Sequence, residues 1–163
     1  MIRVVVDDLA VLQVAAVLRP SDASLEPVTA SGVRLDRQAG AGFAAQRRVG
    51  APLEAGAAVV TGAGELAAPL VVHVVIQDPD SSAGRETVRR ALVSAWQRAT
   101  EWQLESLAAP PIGAGAGLLA VEDAALLMAE TFPRDRDFPR ELAIVVERED
   151  DRVTVEAALR RRT

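Results

Sequence analysis

The sequence predicts a layered α/β domain built on a mostly parallel sheet. Three observations lead there. Short apolar, β-branched runs alternate with segments of helical periodicity, the order that lays helices over a parallel sheet. The runs are apolar almost throughout, as strands buried on both faces are. Half of the 163 residues are hydrophobic, so the chain can enclose a core, and its length suits one domain, residues 1–163.

Each element has its own signal. Ile2 to Val6 is a β-branched run and reads as a buried strand. Residues 14–18 are a second strand, and Arg19-Pro20 ends it, because proline brings no donor to a ladder. Residues 21–31 are polar and turn-like. Residues 33–48 read as a helix weakened by Gly40 and Gly42, each worth about 1 kcal/mol against Ala, and Gly50-Ala51-Pro52 closes it. Residues 57–61 and 70–76 are strands joined by a turn at Gly62-Ala63-Gly64-Glu65. No helix follows that turn, so it is not a dinucleotide fingerprint. Residues 78–84 form a loop.

Residues 85–103 make the clearest helix. Val88, Ala91, Leu92, Ala95, Trp96, Ala99 and Trp102 fall on one apolar stripe, and both tryptophans read as core. A strand begins at Leu107. Val121, Ala124, Ala125, Met128 and Phe132 form another stripe, stopped by Pro133. Residues 142–146 are a strand. Asp150 or Asp151 then caps a short last helix ending in Arg160-Arg161-Arg162, where positive charge suits the helix dipole.

Composition removes several kinds of chemistry. There is no cysteine, hence no disulfide, thiol nucleophile or thiolate metal site. The lone His73 rules out a multi-histidine metal centre and, set in an apolar strand, reads as a satisfied core residue. All 18 basic residues are arginine, which excludes a Walker A loop and a Schiff-base lysine. The net charge of −5 argues against broad binding to nucleic acid. No apolar run reaches the roughly 20 residues that span a bilayer, and no signal peptide is read at the N-terminus. These features fit a cytoplasmic protein.

Chemistry concentrates between residues 106 and 117. A short apolar strand there enters Pro110-Pro111-Ile112-Gly113-Ala114-Gly115-Ala116-Gly117, and a helical pattern follows. Glycine at alternate positions lets a ligand approach bare backbone. Its N–H groups and the next helix's positive end suit an anion, so the loop is a candidate phosphate cradle beyond the carboxyl end of a strand. The same glycines would also serve a tight turn that packs the helix on the sheet.

The order of these elements resembles the macro domain, the ADP-ribose-binding fold. Val6-Asp7-Asp8-Leu9 resembles the family's Gly-Asp-Ile motif, and residues 34–40, Arg-Leu-Asp-Arg-Gln-Ala-Gly, resemble its Arg-Ala-Ala-Gly helix end. Residues 56–62 are similar to the Gly-x-Ala-x-x-Thr strand, residues 71–75 to the Val-Ile-His-x-Val strand, and residues 110–117 to the second phosphate-binding loop. The resemblance implies a three-layer α/β/α fold with a central mixed, mostly parallel sheet. It also implies a ligand site at Asp8, Leu9, Asp22, Ile112, Gly113, Ala114, Gly115, Ala116 and Gly117, with no metal and no cofactor. Asp8 would accept a hydrogen bond from an adenine amino group, or simply end its strand in a turn; Asp22 would stand beside the distal ribose, although an Asx turn or a cap suits a carboxylate there better.

The chain departs from the family at three places. The Asn-Ala-Ala-Asn motif is replaced by Arg19-Pro20-Ser21-Asp22, and the chain holds no asparagine. The first glycine loop reads Glu26-Pro27-Val28-Thr29-Ala30-Ser31-Gly32, and Gly117 stands where an aromatic residue often meets the distal ribose. Arg19 and Arg34 flank the altered first loop, placed to neutralise a phosphate. Three functions are therefore weighed. One is a module binding ADP-ribose or a related nucleotide diphosphate. The second is a fold that has lost its ligand and acts in a homo-oligomer or a protein complex. The third, disfavoured without asparagine, is a hydrolase of ADP-ribosylated or phosphorylated substrates.

Overall fold

In the computed structural model, which describes residues 1–80 and 84–162, the strands form one six-stranded sheet. They are β1 (Ile2–Val6), β2 (Ala16–Asp22), β3 (Ala58–Gly62), β4 (Leu70–Gln77), β5 (Ser106–Ala109) and β6 (Glu141–Val146). The spatial order is β1-β6-β5-β2-β4-β3, parallel throughout except for β3, which runs antiparallel to β4 at one edge. The helices are α1 (Ala30–Gln38), α2 (Phe43–Gln46), α3 (Arg85–Glu101), α4 (Val121–Thr131) and α5 (Glu149–Arg162), and a 3-10 turn covers Leu9–Val11.

Alternate residues of each strand divide between two cores. Leu18, Val72, Val74, Leu107, Leu142 and Ile144 pack with α3, α4 and α5 on one face. Val17, Val71, Ala108, Ala143 and Val145 pack with Leu35, Ala39 and Phe43 of the α1–α2 segment on the other. The period-2 alternation of strand side chains thus makes three layers from one sheet. Both faces being covered is why these strands read as unbroken apolar runs.

Four expectations are corrected. β2 continues through Pro20 to Asp22, where Pro20 lies opposite Val74 of β4. Proline is tolerated where its nitrogen meets no ladder partner, and β2 is paired with β5 only at Ala16 and Val17. The 33–48 helix is two helices. Gly40 sits at φ +90° with the Glu65 carboxylate packed where a Cβ would stand, and Glu65 N–H donates to Ala39 C=O. The break is therefore set by the β3–β4 turn, not by local propensity alone. α3 stops at Glu101, so Trp102 leaves the stripe and is 52% exposed while Leu104 is buried. The last helix, α5, is not short but 14 residues long. The expected 78–84 loop lies partly outside the described residues.

No helix among the described residues is long and apolar enough to cross a membrane. Trp96 anchors the thicker core. It is almost fully buried, meets Phe132 edge-on at 5.1 Å between ring centroids, and donates from Nε1 to Thr131 Oγ1 at 2.9 Å. Trp96→Ala is expected to cost about 3–5 kcal/mol of stability, from lost burial and a residual cavity. Urea denaturation followed by circular dichroism checks it.

Candidate functional site

The carboxyl ends of the parallel strands open onto a cleft of about 910 Å³. Asp7, Asp8 and Leu9 line it from the end of β1, and Val146, Glu147 and Arg148 from the end of β6. Pro110, Pro111, Gly113, Ala114 and Gly115 come from the loop after β5, and Pro20 from β2. Thr29, Ala30, Ser31 and Arg34, at the start of α1, form the opposite wall.

Local bonding prepares each part. Asp8 Oδ1 accepts from Ala10 N–H at 2.9 Å, capping the 3-10 turn, while Oδ2 accepts from Gln38 Nε2 at 2.9 Å. The exposed carboxylate is held in place yet keeps spare lone pairs for a ligand donor. Thr29 is the N-cap of α1, its Oγ1 accepting from Gly32 N–H at 2.9 Å. In the loop after β5, Ala114 N–H donates to Pro111 C=O, and both Leu118 and Leu119 donate to Gly113 C=O. Gly113 takes φ +100°, and a Cβ there would meet Leu119 and Val88 at 3.2 and 3.3 Å.

The result is a set of bare donors. Among the described residues the N–H groups of Gly113 and Gly115, two residues that line the cleft, have no acceptor. The same holds for Ala30 and Ser31 in the first turn of α1. α4 also begins beside the cleft at Val121, without a side-chain cap. Two helix N-termini and two open glycine amides therefore surround one space, which gives it positive potential without a net positive charge. At the rim Arg34 pairs with Glu147, bridging α1 and the end of β6.

Asp8, Leu9, Gly113, Ala114 and Gly115 are thus brought together. The other four nominated residues stand outside the cleft. Asp22 Oδ1 accepts from Ser24 N–H at 2.8 Å and Glu26 N–H at 3.0 Å, an Asx turn closed on itself. Ile112 is fully buried, Ala116 packs against the core, and Gly117 (φ +76°) turns the chain toward α4. Sequence reasoning sets the Thr29 side chain against a diphosphate, and Thr29 does line the cleft, but it missed Ala30 and Ser31 as cleft wall. Thr29 followed by a helical pattern is an N-cap signal that would have started α1 there.

Of the two flanking arginines, only Arg34 reaches the cleft. Arg19 is fully buried on the α1–α2 face, held by both oxygens of Asp36 at 2.8 Å. It also donates to His73 Nδ1 at 3.1 Å. A guanidinium only donates, so the His73 proton sits on Nε2, which donates to Thr61 Oγ1 at 2.7 Å. Thr61 passes its own proton to Gly62 C=O at 2.9 Å. Phe43 covers the cluster, stacked on the His73 ring at 5.9 Å. Burial first, then the charges of Arg19 and Arg47, lower the His73 pKa to about 3.

Comparison with known proteins now places the fold. The macro domain family matches residues 30–128, more than half of the chain. The chain therefore belongs to the macro domain family. It is 29% identical over 146 residues to an uncharacterized protein of Aeropyrum pernix, covering 88% of this chain and 77% of that one. A Trypanosoma brucei macrodomain solved in complex with ADP-ribose superimposes with a TM-score of 0.82 at 17% identity, over 97% of this chain and 68% of the other. An Oceanobacillus iheyensis macrodomain solved with ADP gives 0.79 at 17% identity, over 97% and 89%.

The buried histidine makes stability pH-dependent. Unfolded, it binds a proton near its ordinary value of 6.5; folded, it stays neutral down to about 3. Its contribution is complete above pH 6.5 and is lost as pH falls toward 3. Between pH 6.5 and 5 the wild type is expected to lose about 1–2 kcal/mol more than His73→Gln. Urea titrations at the two pH values measure the difference.

Proposed function

We propose that the protein is a binding module for ADP-ribose or a related nucleoside diphosphate. The diphosphate lies over Gly113–Gly115, and the adenine end lies toward Asp8 and Leu9. The observation that carries this reading is the pair of unbonded glycine amides on a loop that lines a cleft, which two helix N-termini also border. Backbone donors and helix ends suit a phosphate and need no lysine. Arg34 adds a mobile charge, since its partner Glu147 is well exposed and can release it to a phosphate oxygen. Binding without catalysis fits the side chains present, because the cleft offers no cysteine, histidine or asparagine.

A second reading, a fold without ligand that serves in a complex or a homo-oligomer, draws on the self-bonded Asp22 and the bulk of Thr29 at the first loop. Isothermal titration calorimetry with ADP-ribose and with ADP separates the two. Saturable heat with ADP-ribose or with ADP supports binding; no heat with either at millimolar ligand leaves only the second reading. Gly115→Val, which places side chain over the amide, is expected to weaken binding at least tenfold, about 1.4 kcal/mol. Arg34→Ala is expected to weaken it about three- to tenfold and to flatten its salt dependence.

A further inference from the structure

We propose that Thr29 ends the cleft, so that the preferred ligand is a nucleoside diphosphate whose terminal phosphate carries no second sugar. The inference rests on the binding reading above and refines it to a ligand class.

The cleft spans the ends of four neighbouring strands, β1, β6, β5 and β2, and no residue of β4 or β3 lines it. Carboxylates stand at the β1–β6 end, where Asp8, Glu147 and Asp151 can accept from the amino and hydroxyl groups of a nucleoside. The open amides of Gly113 and Gly115 follow at β5. Next comes a closing contact. Thr29 Cγ2 lies 3.0 Å from the place where a Cβ on Gly115 would stand, so the α1 wall and the glycine loop touch there. Thr29 performs two jobs with two atoms: Oγ1 caps α1, and the methyl closes the gap.

Asp22 Oδ1 and the Gly117 N–H, both outside the cleft, are taken up by their own loops. Asp22 Oδ1 accepts from Ser24 and Glu26 N–H, and Gly117 N–H donates to Ala114 C=O. Ribose hydroxyls forced in beside them would lose water without gaining matching partners, which opposes binding.

Calorimetry on the full chain with ADP and with ADP-ribose tests this. The expected result is an ADP affinity equal to or higher than that for ADP-ribose. Thr29→Ser keeps the cap hydroxyl and removes the methyl; it should raise ADP-ribose affinity by about tenfold relative to ADP. Thr29→Val keeps a methyl and removes the cap; it should lower the melting temperature and leave the ligand ratio as in the wild type. A wild type that prefers ADP-ribose more than about tenfold over ADP, or a Thr29→Ser protein with an unchanged ratio, overturns the assignment of Thr29. A wild type that binds neither nucleotide overturns the binding reading itself, and this refinement with it.

Discussion

A buried guanidinium organises the molecule. Arg19 lies in the middle of β2 with no exposed surface, and Asp36 of α1 holds it through two hydrogen bonds of 2.8 Å. Leaving such a charge unpaired costs several kcal/mol, so α1 is bound to the sheet at one fixed height. That height decides where Thr29, Ala30, Ser31 and Arg34 stand, since all four are on or next to the same nine-residue helix. The floor of the cleft belongs to the sheet, while its wall belongs to a helix that the buried Arg19–Asp36 pair, the rim pair Arg34–Glu147 and the packed Leu35 hold against it. Neutral His73, Thr61 and the Phe43 ring complete the cage around the guanidinium and exclude water from it. A buried cluster whose chain neighbours Pro20, Leu35 and Arg37 line the cleft therefore helps to set its width.

The proposed attraction of the cleft for anions needs little formal charge. The chain is acidic overall, and Asp7, Asp8, Glu147 and Asp151 all border the site. What favours a phosphate is dipolar: unpaired N–H groups at the starts of α1 and α4 and on the glycine loop. Such donors act at short range and do not raise the affinity of the whole surface for polyanions. The carboxylates then give direction, because a nucleoside has donors to offer them and a phosphate has none. On the proposed reading, one space distinguishes the two ends of a nucleotide by the chemistry of its lining.

Much of the fold was legible in the sequence because its signals are local. The apolar runs of β1, β4 and β6 and the stripe of α3 survive any reading, since period and β-branching are properties of neighbouring residues. Where the sequence misled, the deciding atom lay far along the chain. Pro20 stays in a strand because β5 pairs with β2 only at Ala16 and Val17, through Leu107 and Ala108, each 91 residues further along the chain. Gly40 breaks a helix because Glu65 packs against it. Trp102 is exposed because α3 ends one residue earlier than its stripe suggests.

The site divides in the same way. Residue type alone determined that lysine and cysteine could not meet an anion here, leaving backbone amides and arginine as the candidate donors. Spacing alone determined which loop would present the amides. Only the tertiary structure decided which amides remain free: Gly113 and Gly115 are open while Gly117 is bonded to Ala114. It also decided that Arg19 is an internal brace and Arg34 a cleft residue, although both flank the same loop. Hydrogen bonds and burial are sums over contacts made across the whole chain, and a string of residue types records the groups that can make them but not which ones do.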